Sequence, residues 1–523
     1  MSLTAGDLIL ISFLLAAACF CISVYRLRRR RPHLPPGPRG LPLFGNLFQI
    51  PDLSAAPWHA YSAWSHEHNS DIIRVRALGT NIVILNSLNV VNDLLDKRSS
   101  IYSGRPEMVM FNDLCGFKWT MGGSSYGDAW RDRRKMAHHE FHSSSVPQYR
   151  QHQRKSIRRL LRDVLQEPDN FSKHVRLWSG ATILSVTYDI NVENHSNPYF
   201  VMSENVSRAS IELMAAGCRL VDILPILKHL PDWFPGAGFK HEAKRIREFA
   251  DRVLNEPLDL AIRRMGNGYL GPCAAKSLIE HYGKKRTDPA VESADFVIRS
   301  TLGSLYIAGA ETNIASLETF FLAMVLNPEV QQKAREELDR VVGAHRLPDY
   351  CDNAALPYIT AIVKETLRWQ PVAPLALPHM VTEDDIYDGY FIPKGSLVIG
   401  NAWAILHDET VYPEPSKFNP DRFLYPDGSP NPNVRDPSVA AFGFGRRKCP
   451  GRFLAVESLW LAIANILAVY EIGKAIGEDG QEITPAGDYV NGVMCFPKAF
   501  ACAVRPRSKE HGALVLDLDD EDA

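Results

Sequence analysis

No Cys-x-x-Cys occurs anywhere in the 523 residues, and the nine cysteines are scattered singly except for Cys19 and Cys21 in an apolar N-terminal run. This excludes a disulfide framework and the usual paired-cysteine zinc sites, and it suits a body kept in a reducing compartment. An excess of charge is missing too: 58 Lys and Arg face 60 Asp and Glu, a formal net charge of −2. A chain so balanced gives no electrostatic reason to expect nucleic acid as a partner. His138, His139 and His142 do not form a His-Glu-x-x-His, which argues against a zinc hydrolase. No Gly-x-Gly-x-x-Gly follows a strand-like run, so the sequence contains no recognisable dinucleotide or flavin segment. No repeat or low-complexity tract divides the chain. The sequons at Asn170, Asn194 and Asn205 are few enough to arise by chance.

What is abundant is apolar material: 46% hydrophobic residues, with nine Trp, 18 Tyr and 23 Phe, enough for a large core around an apolar cofactor. One cysteine stands out within it, in the run Phe442-Gly443-Phe444-Gly445-Arg446-Arg447-Lys448-Cys449-Pro450-Gly451. The glycines let the backbone turn and approach a flat ligand. Pro450 suits a first helical position ahead of the apolar stretch Arg452 to Tyr470, which would put Cys449 at the positive end of a helix dipole. Such a thiolate could serve as nucleophile, zinc ligand or axial ligand of a heme iron. Zinc usually needs several ligands, whereas heme needs a single one from below.

The run resembles, residue for residue, the heme signature of the cytochrome P-450 family, Phe-x-x-Gly-x-Arg-x-Cys-x-Gly. The resemblance extends over about residues 33 to 505 and implies a mainly α fold with small β-sheets, a helical bundle around buried heme b with Cys449 on the iron. Trp130 and Arg134, four apart on an expected helix, resemble the pair with which the family holds a heme propionate. His379 stands where many members carry an arginine for the second propionate, and Arg447 is expected to share that load. Ala308-Gly309-Ala310-Glu311-Thr312 lies in a long apolar helical stretch, Ser293 to Val325. There Gly309 weakens the helix and Thr312 can bond back to the preceding turn, opening the ladder for water. The resemblance assigns Thr312 to proton delivery where oxygen binds, with Glu311 relaying protons from solvent. Glu365 with Arg368, and Arg422 in Phe418 to Phe423, resemble the family's Glu-Arg-Arg cluster, a buried brace for the heme loop.

Five segments are expected. Residues 1–7 face the lumen, and 8–25 form a transmembrane anchor, since Leu8 to Tyr25 lacks charge and Arg26 with Arg28 to Arg31 follow it. Residues 26–40 form a basic, proline-rich hinge, 41–505 the catalytic domain, and 506–523 an acidic disordered tail. The body would face the cytosol on the endoplasmic reticulum. Strand pairs are expected at Ile72 to Arg76 with Ile82 to Leu85, and at Tyr489 to Met494 with Ala499 to Val504. Arg131, Arg133 and Lys135, with Arg446 and Lys448, suggest a basic docking face.

The function implied is a monooxygenase that inserts one atom of O2 into an apolar small molecule, with electrons from NADPH through NADPH–cytochrome P-450 reductase. The wording of Tyr387 to Gly395 and Asn401 to Trp403 resembles fungal enzymes of specialised metabolism, leaving terpenoid, polyketide and indole scaffolds open. A heme-thiolate isomerase or dehydratase, which often lacks the acid-Thr pair, and a non-enzymatic heme sensor are the alternatives.

Overall fold

The computed structural model describes residues 33–214, 219–283 and 292–517. The expected anchor at 8–25 lies outside the described residues, as does most of the basic part of the hinge. Strands β1 (Ile72–Ala77) and β2 (Thr80–Leu85) pair antiparallel through a two-residue turn at Leu78 and Gly79, both at positive φ. That turn matches the right-handed twist of the strands it joins. β3 (His379–Met380) and β4 (Leu397–Gly400) complete a sheet ordered β1-β2-β4-β3, with β4 parallel to β2 at Val83 and Val398. His379 pairs with Val398 and so stands on the edge strand.

The helices that build the site are α1 (Asp128–Phe141), α2 (Phe171–Tyr188), α3 (Pro198–Leu213), α4 (Gly238–Gly266), α5 (Ala294–Leu326), α6 (Pro357–Trp369) and α7 (Arg452–Val469). Helix α5 has 33 residues, capped by the Ser293 hydroxyl, which accepts from Phe296 N–H. It is apolar on nearly every face, so its stable place is the centre of the body. Leu302, Leu305 and Tyr306 join one core with Trp119 and Trp130; Leu317, Phe320 and Phe321 join a second with Trp460 and Leu467. α5 packs against α1, α2, α3 and α7.

Two expectations are corrected. Cys502–Pro506 pairs with Tyr470–Ile476 rather than closing a terminal hairpin, and Tyr489–Val490 pairs with Phe496–Pro497. The tail is not disordered from 506 onward: Lys509–Leu516 forms a helix, α8, with Ser508 capping His511 N–H and Val515 fully buried. The apolar Leu514 to Leu516 outweighs the acidic residues that follow.

Candidate functional site

The Cys449 loop is held by its glycines and one backbone bond. Gly443 and Gly445 take φ of 72° and 53°, and a Cβ at Gly445 would lie 1.8 Å from the Leu95 carbonyl oxygen. No other residue fits there. Gly451 is different: it is the N-cap of α7 at φ −82°, a conformation open to any residue. Pro450 therefore precedes the helix rather than opening it. Cys449 N–H donates to the Phe442 carbonyl at 2.8 Å, closing the loop. Burial pushes the Cys449 thiol up, opposed by the amides of Gly451 and Arg452 and the guanidiniums of Arg134 and Arg452. The helix end alone does not make a thiolate; a bound metal deprotonates a coordinating thiol outright.

Around the loop lies a concentration of cations without acids. Trp130 and Arg134 sit one turn apart on α1; Trp130 is buried and its indole N–H has no partner. Arg447 lies 4.4 Å over the Trp130 ring and donates to the carbonyls of Ser103, Met121 and Ser124. Arg105, which sequence reasoning missed, is buried and donates to the carbonyls of Gly122, Leu377 and Pro378. Burial lowers Arg105 to about 10, and burial with Arg105 and Arg134 alongside lowers Arg447 to about 8. Among the described residues none of these three arginines has a carboxylate partner. Buried cations of this kind call for an anion.

His379 belongs to the same cluster but plays a different part from the one expected. Its ring is buried, Nδ1 lies 2.7 Å from the Tyr102 carbonyl, and burial with Arg105 and Arg447 nearby depresses its pKa strongly. A neutral imidazole that spends its one proton on a carbonyl has none for a carboxylate. Arg105 is the better donor. Nothing in its sequence neighbourhood, Ser103-Gly104-Arg105-Pro106, separates it from a surface arginine.

The donor set fits heme. Its two propionates would supply the anions that Arg105, Arg134, Arg447 and the Trp130 N–H lack, and Cys449 would supply the one thiolate its iron needs.

On α5 the helix stays α-helical throughout, so the expected opening at Gly309 is not seen. The Thr312 hydroxyl does bond back, donating to the Ala308 carbonyl at 3.1 Å. Gly309 is required by packing, since a Cβ would fall 2.7 Å from the Ile183 side chain. Ser179 on α2 donates to the carbonyls of Gly309 and Ala310. Glu311 is buried, with Arg176 on α2 at 3.6 Å; burial raises its pKa, and Arg176 opposes the rise. It lines a cavity of about 560 Å³ between α2, α3, α5 and the hairpin that ends at Phe496 and Pro497.

The Glu365, Arg368 and Arg422 cluster is assembled as expected. Arg368, fully buried, donates from Nε and Nη2 to Glu365 at 2.7 and 2.8 Å, and Arg422 Nε donates to Glu365 at 3.2 Å. Asn419 N–H donates to the same carboxylate at 2.8 Å, and Arg368 and Arg422 both reach the Lys417 carbonyl. The expected basic face is smaller than the sequence suggested. Arg133 points inward, donating to Ser300 and pairing with Glu292, whereas Lys135 and Arg446 are exposed and Lys448 is half-buried.

Comparison with known proteins agrees with this geometry. The family model described as Cytochrome P450 matches residues 35–493. Cytochrome P450 monooxygenase ple1 of Rhodocybe pseudopiperita is 41% identical over 92% of this chain and 91% of its own length. Cytochrome P450 monooxygenase 98 of Postia placenta is 39% identical, with 96% of each chain covered. Tryptamine 4-monooxygenase of Psilocybe cyanescens is 39% identical over 96% of this chain and 98% of its own. With a cysteine loop, an acid-free cluster of arginines and relatives matched over nearly their whole length, the chain belongs to the cytochrome P450 family and is a monooxygenase.

Proposed function

We propose that this monooxygenase inserts one oxygen atom of O2 into an apolar small molecule of fungal specialised metabolism, with Glu311 and Thr312 supplying protons. The observation that carries this reading is Glu311, a buried carboxylate next to Thr312 that reaches a cavity lined by the exposed Arg208 and Lys498. Proton delivery to a water-excluded centre needs such an acid, and an isomerase or a sensor does not. Heme held by Cys449 supplies the oxygen activation. Trp130, Arg134 and Arg105 hold its propionates, and Arg447, stacked on Trp130, keeps two donors free beside the three that it uses. Glu365, Arg368 and Arg422 brace the chain leading to the cysteine loop.

Electrons come from NADPH through cytochrome P450 reductase, whose acidic surface would meet Lys135, Arg446 and Lys448. The protein is anchored in the endoplasmic reticulum membrane with its body in the cytosol. Leu43, Phe48, Leu220, Ile226 and Trp233 are exposed apolar side chains of the kind a membrane surface takes up. An indole is one scaffold in keeping with the relative named tryptamine 4-monooxygenase, beside terpenoids and polyketides.

The test is the carbon monoxide difference spectrum of reduced microsomes, followed by NADPH consumption with candidate substrates. A strongly red-shifted Soret band, lost in Cys449→Ala, together with substrate-stimulated NADPH use is the expected result. A band of histidine type would overturn the ligand assignment. A thiolate band with turnover that consumes no NADPH would favour the isomerase.

A further inference from the structure

A second buried acid on α5 is left over by the reading above. Glu318 lies seven residues beyond Glu311, about 10 Å along the axis at 1.5 Å per residue. The two carboxylates face helix α2, on which Ser172 and Arg176 are also one turn apart, so the helices meet in two rungs. In one, Ser172 Oγ donates to Glu318 Oε1 at 2.5 Å; in the other, Arg176 Nη1 stands 3.6 Å from Glu311 Oε2. Glu318 is 6% exposed, and no ion pair within 4 Å is found for it among the described residues. Burial raises its pKa, and only the Ser172 bond and the more distant Arg176 offset that. A carboxylate kept in an apolar core at this cost, with one hydroxyl to satisfy it, is not explained by packing.

Its surroundings supply an explanation. Glu318 and Glu311 line the same cavity of about 560 Å³, whose outer part is bounded by the exposed Arg208, Glu212 and Lys498. At about 30 Å³ per water, that space admits on the order of twenty waters. Roughly three waters at hydrogen-bond spacing span the gap between the two carboxylates.

We infer that Glu318 is the entry acid of a water-filled proton path, taking protons from the cavity and passing them to Glu311. It is a positioning residue that acts through Glu311 and Thr312, and this inference rests on the roles proposed for those two. The step makes and breaks only O–H bonds. The neutral Glu318 carboxyl gives its proton to the next water toward Glu311 and is then reprotonated from a cavity water, whose loss is made good by solvent. Arg176 limits how far the pKa of Glu311 rises, so that Glu311 can give up the proton in turn.

The experiment uses the full-length, heme-loaded protein in lipid with its reductase, as parent, Glu318→Gln, Glu318→Asp, Glu311→Gln and Thr312→Ala. Infrared spectra in H2O and D2O should show a protonated-carboxyl band in the parent that shifts on exchange and is missing in Glu318→Gln. Glu318→Gln should divert electrons to peroxide and slow coupled turnover by less than the roughly 100-fold that loss of a direct proton donor costs. Glu318→Asp should restore most of the coupling, which a purely structural role would not predict. An unchanged infrared band, or parent-like coupling in Glu318→Gln while Glu311→Gln and Thr312→Ala uncouple, would overturn the assignment of Glu318 alone. Parent-like coupling in all three would overturn the acid-Thr reading beneath it. If Glu318→Gln does not fold, the infrared band and coupling of Ser172→Ala decide instead: a shifted band with more peroxide supports the path, and no change in either refutes it.

Discussion

Glu365→Ala should be among the most destabilising single changes in this protein, and the geometry sets the size of the effect. Removing the carboxylate deletes two hydrogen bonds to Arg368, one to Arg422 and one from Asn419 N–H. Arg422 keeps the carbonyls of Pro413 and Lys417, and Arg368 keeps those of Leu406 and Lys417, but two buried guanidiniums remain with no anion. Breaking a buried pair from one side costs about 3–5 kcal/mol because the partner charge stays buried. That is a large share of the roughly 5–15 kcal/mol by which a protein is stable. The assay is the urea midpoint at constant slope, with heme content measured on the same samples. The exposed pair Lys333 and Asp421, with side chains 52% and 49% accessible, gives an internal control: Lys333→Ala should cost no more than about 1 kcal/mol. If Glu365→Ala retained heme and unfolded within about 1 kcal/mol of the parent, the brace would not be a brace, and the argument from buried charge would fail with it.

Arg105→Leu should lower heme retention more than His379→Gln does, read as heme per protein after gel filtration; the opposite order would return the second propionate to His379. Thr312→Ala should raise the peroxide formed per NADPH while leaving the carbon monoxide band in place; unchanged coupling would remove Thr312 from proton delivery. Glu311 has its pKa raised by burial, so the folded state holds that proton more tightly than the unfolded chain does. Its contribution to stability therefore falls as pH rises above the ordinary 4.5 toward the raised folded value, and Glu311→Gln should flatten that part of the urea-midpoint profile. A slope identical to the parent's would show that Glu311 is ionised as easily in the folded state as in the unfolded one.

Local signals in the sequence were enough for the parts of the fold that local physics decides. A run of 33 residues with apolar side chains on every face has to be central, and α5 is. A Gly-containing turn between two β-branched runs has to be a hairpin, and β1 with β2 form one. The failures came where a distant partner decides. Cys502–Pro506 alternates well enough to be any strand, and its choice of Tyr470–Ile476 depends on where α7 ends. α8 was hidden by the acidic residues after it, although Ser508 followed by Lys509 to Leu516 carries a cap and an apolar end. Arg133 looked like one more basic residue on a charged helix, and only the neighbouring Ser300 and Glu292 reveal that it is buried.

The same division runs through the site. Cys449, Glu365 and Arg368 stood out because the runs around them resemble the family's signatures; Glu and Arg three apart also occur at Glu242 with Arg245 and at Glu337 with Arg340, so spacing alone could not choose. Arg105 did not stand out, because what marks it is that no acid pairs with it among the described residues, a property of the assembled fold. Glu318 lies between these cases. A charged residue inside an otherwise apolar helix is visible from sequence, and α5 holds two in its central and later turns, each followed by a Thr, of which only Glu311-Thr312 stood in the Ala-Gly-x-Glu-Thr run that suggested a purpose. The cost of burying a carboxylate is the same for both, so the same question applies to both. The cavity they share answers it for Glu318 in terms that the motif around Glu311 could not provide.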